Sequence, residues 1–148
     1  MYKKQEVEII ELVPGAMPEY ATEGSAGLDL MAQIDKPTEI WPGAVELIPS
    51  GIKVNMQDTD MCAMLLPRSG LGHKQGVILG NGTGVIDSDY QGEIFMSIWN
   101  RSQKLVTIDP RQRIAQLIFM PVVKPIFSLV QGFKASERGS GGFGSTGK

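Results

Sequence analysis

An amide, a carboxylate and a phenol stand within ten residues of one another in this chain, as Asn81, Asp87 and Tyr90. Such a set equips a small-molecule pocket with hydrogen-bonding groups and one acid–base group. It belongs to the stretch Asn81–Trp99, which reads as strand, tight turn, strand. Val85 and Ile86 are β-branched and apolar, Asp87-Ser88-Asp89 is turn-forming, and Glu93 to Trp99 is apolar and strand-like again. An isolated Asp-Ser-Asp would be read as a turn cap. The amide, the phenol and the glycines around it, which let other molecules approach the backbone closely, favour a pocket.

Three further segments could serve that pocket. Pro67-Arg68-Ser69-Gly70-Leu71-Gly72-His73-Lys74 leaves the apolar run Met61–Leu66. An arginine, a hydroxyl and glycine N–H groups at a strand end suit either a phosphate cradle or an ordinary surface loop. The segment lacks the G-K-[ST] ending of a P-loop, which removes that NTPase class. His73 has no evident Asp or Ser partner, so a structural role is favoured. Gln116, in Arg113–Phe119, is either a buried hydrogen-bonding residue or a ligand donor. The tail Ser136–Lys148 has five glycines, two basic residues and one aromatic. It is either a frayed terminus or a mobile arm whose Arg138 could pair with phosphate and whose Phe143 could stack on a flat ring. Gly139, Gly141 and Gly144 fit G-x-G-x-x-G, but only four residues follow Gly144, so no Rossmann helix can.

The elements that must position these residues are short strands. Eighteen glycines and nine prolines among 148 residues exceed their average joint share of about 12%. Apolar runs and period-two stretches recur at Gln5–Val13, Leu28–Ala32, Thr38–Trp41, Val45–Ile48, Ile52–Met56, Met61–Leu66, Lys104–Ile108, Arg113–Val123 and Pro125–Val130. Pro49-Ser50-Gly51 is expected to break the strand before it, and helical turns are expected only near Ser69–Lys74. Turn signals about every eight to twelve residues predict an all-β jelly roll, sandwich or barrel. No linker or repeat divides the chain, so residues 1–135 are expected to form one β domain, with 136–148 as the arm.

The totals exclude several functions. A net charge of −2 makes no electrostatic case for a nucleic-acid or membrane surface. The N-terminus leads into no apolar signal segment, and no run approaches the length of a membrane span. The single Cys62 reads as a small buried hydrophobe, which fits a reducing, cytoplasmic setting. One histidine in all rules out a zinc site built on several His and Cys ligands.

Five segments together resemble the motifs of the trimeric deoxyuridine triphosphatases (dUTPases), closest to the bacterial type. They are Ala26–Leu30, Pro67–Gly72, Gly84–Gly92, Arg113–Phe119 and Arg138–Gly147, in the family's order and spacing. The resemblance implies a jelly-roll-like homotrimer with three active sites at subunit interfaces. It implies hydrolysis of dUTP to dUMP and pyrophosphate with Mg²⁺, an activity that keeps uracil out of DNA and supplies dUMP for thymidylate synthesis. Asp87 would be the general base that holds the water attacking the α-phosphorus. Asn81 and backbone groups at Val85, Ile86 and Phe95 would read the uracil edge. Tyr90 would pack under the deoxyribose and leave no room for a 2′-hydroxyl. Arg68, Ser69 and Gly70 would hold phosphates from a neighbouring subunit, with Gln116 near them. Arg138 and Phe143 would come from the third subunit's arm, onto the γ-phosphate and over the uracil. Mg²⁺ would be held by substrate phosphates and water, with Asp29 supporting that shell without direct coordination.

Two other functions compete. A deoxycytidine triphosphate deaminase shares the fold, but the intact Asp87–Gly92 segment and the glycine-rich arm favour the plain dUTPase. A catalytically idle, nucleotide-gated binding protein with the arm as its switch would need dUTP binding without hydrolysis, together with a stable protein partner.

Overall fold

Alternating and continuous apolar runs become strands here because each buries its apolar face in one shared core. The computed structural model describes residues 5–142. In chain order the elements are β1 (Glu8–Glu11), β2 (Leu28–Met31), β3 (Thr38–Ile40), β4 (Val45–Asn55), β5 (Met61–Pro67), α1 (Ser69–Gln75), β6 (Val77–Leu79), β7 (Gly84–Ile86), β8 (Glu93–Asn100), β9 (Val106–Ile108) and β10 (Arg113–Pro121). They form an antiparallel sheet ordered β1-β4-β8-β6, a second ordered β2-β10-β5-β7, and a small β3-β9 pair. This is the all-β, jelly-roll-like class expected from the turn spacing.

β8 shows how the core is built. Ile94, Met96 and Ile98 are buried and alternate with the outward Glu93, Phe95, Ser97 and Trp99. Each fully buried aliphatic side chain of this size contributes about 1.5–3 kcal/mol. Asn100 ends the strand as a buried clamp. Its Nδ2 donates to Ile40 O (2.8 Å) and Lys104 O (2.7 Å), and its Oδ1 accepts from the Ser102 N–H and hydroxyl. Every polar atom of that amide is satisfied, so its burial carries little penalty. Cys62 is buried, as expected of a small hydrophobe. Among the described residues no helix is long and apolar enough to cross a membrane.

The structure departs from the sequence expectation in four places. Pro49-Ser50-Gly51 does not end a strand: β4 runs through it, and its register against β8 shifts between Pro49 and Lys53. The proline cannot donate to a ladder and Gly51 adopts φ +74°, so the two residues make an irregularity inside one strand. The Asn81–Trp99 stretch contains both strands and a turn, closed by Tyr90 N–H to Asp87 O at 3.1 Å, but it is not a paired hairpin. β7 pairs with β5 while β8 pairs with β4 and β6, so the turn carries the chain from one sheet to the other. Val77–Leu79, which the sequence reading passed over, forms β6 on the edge of the first sheet. Finally, Pro125–Val130 is no strand. The last backbone bond on that side is Val122 N–H to Asp60 O, and beyond it Val123, Ile126, Phe127 and Leu129 are almost wholly exposed. A strand-like sequence is no strand until it lies against a partner edge, and among the described residues this segment lies against none.

Candidate active site

The crossover between the two sheets walls a cavity of about 240 Å³. Asn81, Val85, Ile86, Asp87, Tyr90 and Phe95, all singled out in the sequence, line it together. β7 is the last strand of its sheet, with β5 as its one partner among the described residues. Its outer edge therefore presents backbone N–H and C=O groups with no strand beside them, ready to match the edge of a planar ring. Asp87 follows the final residue of β7 and is exposed, so water can reach its carboxylate.

Tyr90 is fixed from two sides. Its hydroxyl donates to Glu93 O at 2.8 Å, and its ring lies so close over Gly92 that a Cβ there would collide with the hydroxyl oxygen and ring. Glycine at position 92 is thus what lets the phenol lie flat against the chain.

Four lining residues escaped the sequence reading as site members: Leu65, Gly84, Glu93 and Ile94. Leu65 arrives only through the pairing of β5 with β7, where it stands opposite Gly84. No local signal marks that contact. Glu93 did carry a signal, as a carboxylate at the head of an apolar strand. Its Oε1 accepts the Gly51 N–H at 2.9 Å and so ties the cavity wall to the irregularity in β4.

The phosphate candidates lie apart from this cavity. Asp29, Gln116 and Leu66 occupy adjacent positions across β2, β10 and β5, and Arg68 follows the end of β5. Arg68 Nε donates to Asp29 Oδ1 at 2.9 Å, and its Nη1 donates to Arg113 O at 3.2 Å. Gln116 Nε2 donates to Pro67 O at 2.9 Å. Ser69 and Gly70 are exposed in the first turn of α1. None of these residues lines the cavity. His73 is exposed in the last turn of α1 and lines no part of it either.

Arg138 is exposed within a turn closed by Gly139 N–H to Ser136 O and Gly141 N–H to Arg138 O. Phe143 lies outside the described residues. Among the described residues no cluster of three or more His, Cys, Asp or Glu side chains stands together. The expected Mg²⁺ can be tested against that donor set. A cation that keeps several waters and is carried by substrate phosphates needs no such cluster, and the half-buried Asp29, whose Oδ1 accepts from Arg68, fits a carboxylate supporting that water shell without direct coordination.

Known proteins share both the sequence and the fold. The chain is 54% identical over 151 residues to the deoxyuridine 5′-triphosphate nucleotidohydrolase of Serratia proteamaculans, covering 100% of this chain and 99% of that protein. It superposes with a TM-score of 0.82 on a mutant dUTPase of Staphylococcus bacteriophage 80alpha solved with dUpNHpp, at 24% identity over 98% of this chain and 100% of the other. A mutant dUTPase from phage phi11 of S. aureus, whose structure details the coordination of a structural Mg(II) ion, matches with a TM-score of 0.76 at 20% identity, over 88% of this chain and all of the other. A family model described as dUTPase matches residues 14–147. With nearly the whole chain inside that match, and a relative more than half identical along its entire length, the chain belongs to the dUTPase family.

Proposed function

We propose that the chain hydrolyses dUTP to dUMP and pyrophosphate, working as a homotrimer whose sites are completed between copies. The observation that carries this reading is the single cavity uniting Asn81, the β7 edge, Asp87, Tyr90 and Phe95. It is smaller than the ~300–1,000 Å³ of drug-sized ligand sites, and suits one pyrimidine with its sugar. Asn81 and the free backbone edge of β7 read the uracil by mimicking base pairing. The slot rejects the C5 methyl of thymine sterically. Tyr90, held by Glu93 O and pressed on Gly92, closes the floor against a 2′-hydroxyl.

The chemistry then needs position and a base. Asp87 holds a water by hydrogen bonding and takes its proton as the oxygen bonds to the α-phosphorus, and pyrophosphate leaves with the electrons of the broken P–O bond. An aspartate is a weak base near neutral pH, so the water must already be held in line with the leaving group. Mg²⁺ bound to the triphosphate would supply charge neutralisation there. Arg68, Ser69, Gly70 and Gln116 grip the phosphates from a neighbouring copy. The arm, residues 136–148, adds Arg138 at the γ-phosphate and Phe143 over the base.

Three features support assembly from several copies. The phosphate cluster does not line its own chain's cavity. The outer face of the first sheet is apolar, with Val45 51% and Leu47 65% exposed and the half-buried Trp99 opposite Val45. The apolar segment beyond β10 has no cover among the described residues of its own chain, Phe127 and Phe133 being 91% and 94% exposed.

Incubating the protein with dUTP and Mg²⁺ should release pyrophosphate, with dTTP and UTP turned over at least about a hundredfold more slowly, since a slot that clashes with a methyl or hydroxyl discriminates by several kcal/mol. Ammonia release from dCTP would instead assign the chain to the deaminase class, and tight dUTP binding without turnover would make it a nucleotide-gated binder.

A further inference from the structure

We infer that Glu93 is a positioning residue for Tyr90: its carboxylate, anchored on β4, holds the phenol where it excludes a 2′-hydroxyl. This deepens the reading of Tyr90 as the floor under the sugar and rests on it.

The carboxylate stands where the sheet loses its ladder. β4 and β8 pair regularly from Val45 and Trp99 to Pro49 and Phe95, and the next partners are Lys53 and Glu93. In between, β4 passes Ser50, Gly51 and Ile52 while β8 passes only Ile94. Pro49 has no N–H to offer, and Gly51 turns to φ +74°. Gly51 is buried, so its N–H would be costly to leave without an acceptor. Glu93 Oε1 accepts it at 2.9 Å, and a side chain thereby replaces the missing rung.

Gly51 is a firm anchor. Its carbonyl accepts the Leu12 N–H at 2.7 Å, and the neighbouring Pro49 O accepts the Gln33 N–H at 2.9 Å. A Cβ at position 51 would come within 2.8 Å of Gln33 Cγ and 3.0 Å of Ala16 Cβ, so the backbone there has little room to move. From the other end, Glu93 O accepts the Tyr90 hydroxyl at 2.8 Å. One residue thus carries both halves of the link, side chain to β4 and main chain to the phenol. Tyr90 is 44% exposed, and this is its one side-chain hydrogen bond among the described residues. Because the ring also lies over Gly92, a shift of the Gly92–Glu93 backbone must move the phenol with it.

The test uses the full-length protein with Mg²⁺ and two readouts of sugar preference. They are Kd for dUMP against UMP by calorimetry, and kcat/KM for dUTP against UTP. Glu93→Asp, milder than outright removal, keeps the charge but is a methylene too short to reach Gly51. It should cut the preference for the deoxy sugar about tenfold, the scale of one charge-assisted hydrogen bond. Glu93→Gln loses the charge but keeps an accepting oxygen at the same reach, and should hold the preference within about threefold of wild type. In a Tyr90→Phe background, which lacks the hydroxyl, Glu93→Asp should change the preference by less than about twofold, because coupled residues are non-additive. A role confined to stability would lower the thermal midpoint and leave the preference where it was. An unchanged preference in Glu93→Asp, an equal loss in Glu93→Gln, or a full tenfold effect without the Tyr90 hydroxyl would each overturn the assignment. Wild-type protein that prefers dUMP in this Glu93-dependent way but turns over no dUTP would sink the functional reading and leave the Glu93 link standing. Turnover of dUTP with a preference indifferent to Glu93→Asp would do the reverse.

Discussion

Asp87→Asn is expected to lower pyrophosphate release from dUTP by about 10²–10⁴-fold, the contribution of a positioned general base. The substitution changes almost nothing else. Asparagine keeps the size and hydrogen-bonding shape of aspartate and tolerates the same turn, so the backbone bond from Tyr90 N–H to Asp87 O and the β7 edge should persist. Asp87 is exposed, so no core packing depends on it. What is lost is the ability to accept the water's proton. The loss should therefore fall on kcat, with KM for dUTP and the thermal midpoint close to wild type. Steady-state kinetics beside a melting curve check the split. Normal turnover by the variant would remove Asp87 from the role of base.

Deleting residues 136–148 is expected to leave a folded oligomer whose kcat is down by about 10²–10³, the scale of withdrawing a donor aimed at developing charge. The buried core ends at Leu117 and the last strand at Pro121, so the deletion takes nothing from either. The exposed apolar segment that would meet another copy, from Val123 to Phe133, also remains. Arg138, in contrast, is exposed and forms no ion pair among the described residues, so its charge is available to a phosphate. Arg138→Ala alone should reproduce much of the loss. Size-exclusion chromatography and a melting curve test the fold, and turnover tests the arm. An unchanged rate in the truncated protein would refute the arm's part in the site.

What the sequence made legible divides along physical lines. Strand existence was readable where residues alternate or run apolar for long enough, as in β5, β8 and β10, because burial of one face is a local property of the pattern. Pairing was not. The residues of β7 and β8 announce two strands and a turn, yet nothing local says that they join different sheets. Pro49 and Gly51 gave a true signal with an ambiguous meaning, since the residues that end a strand are also those that put an irregularity inside one. β6 is too short for periodicity to register. Pro125–Val130 shows the reverse error: its apolar residues suit a strand, but pairing with an edge is a long-range matter, and among the described residues this segment lies against none.

The site followed the same rule. Asn81, Asp87 and Tyr90 were named because an amide, a carboxylate and a phenol are chemically conspicuous in one short stretch, whereas Val85, Ile86 and Phe95 came only through the family resemblance. Leu65 was invisible because only long-range pairing brings it there. Asp29 entered only through the family resemblance, as support for a metal's water shell, and its grip on Arg68 spans three strands and becomes apparent only in the fold.

The central claim is that Asp87 directs water at the α-phosphorus, and labelled water tests it most directly. The full-length protein should be given dUTP and Mg²⁺ in heavy-oxygen water, and both products analysed by mass spectrometry. The label should appear in the phosphate of dUMP and be absent from pyrophosphate, because the new P–O bond forms on the phosphorus that stays with the nucleoside. Label in pyrophosphate would place the attack on the β-phosphorus and contradict the account.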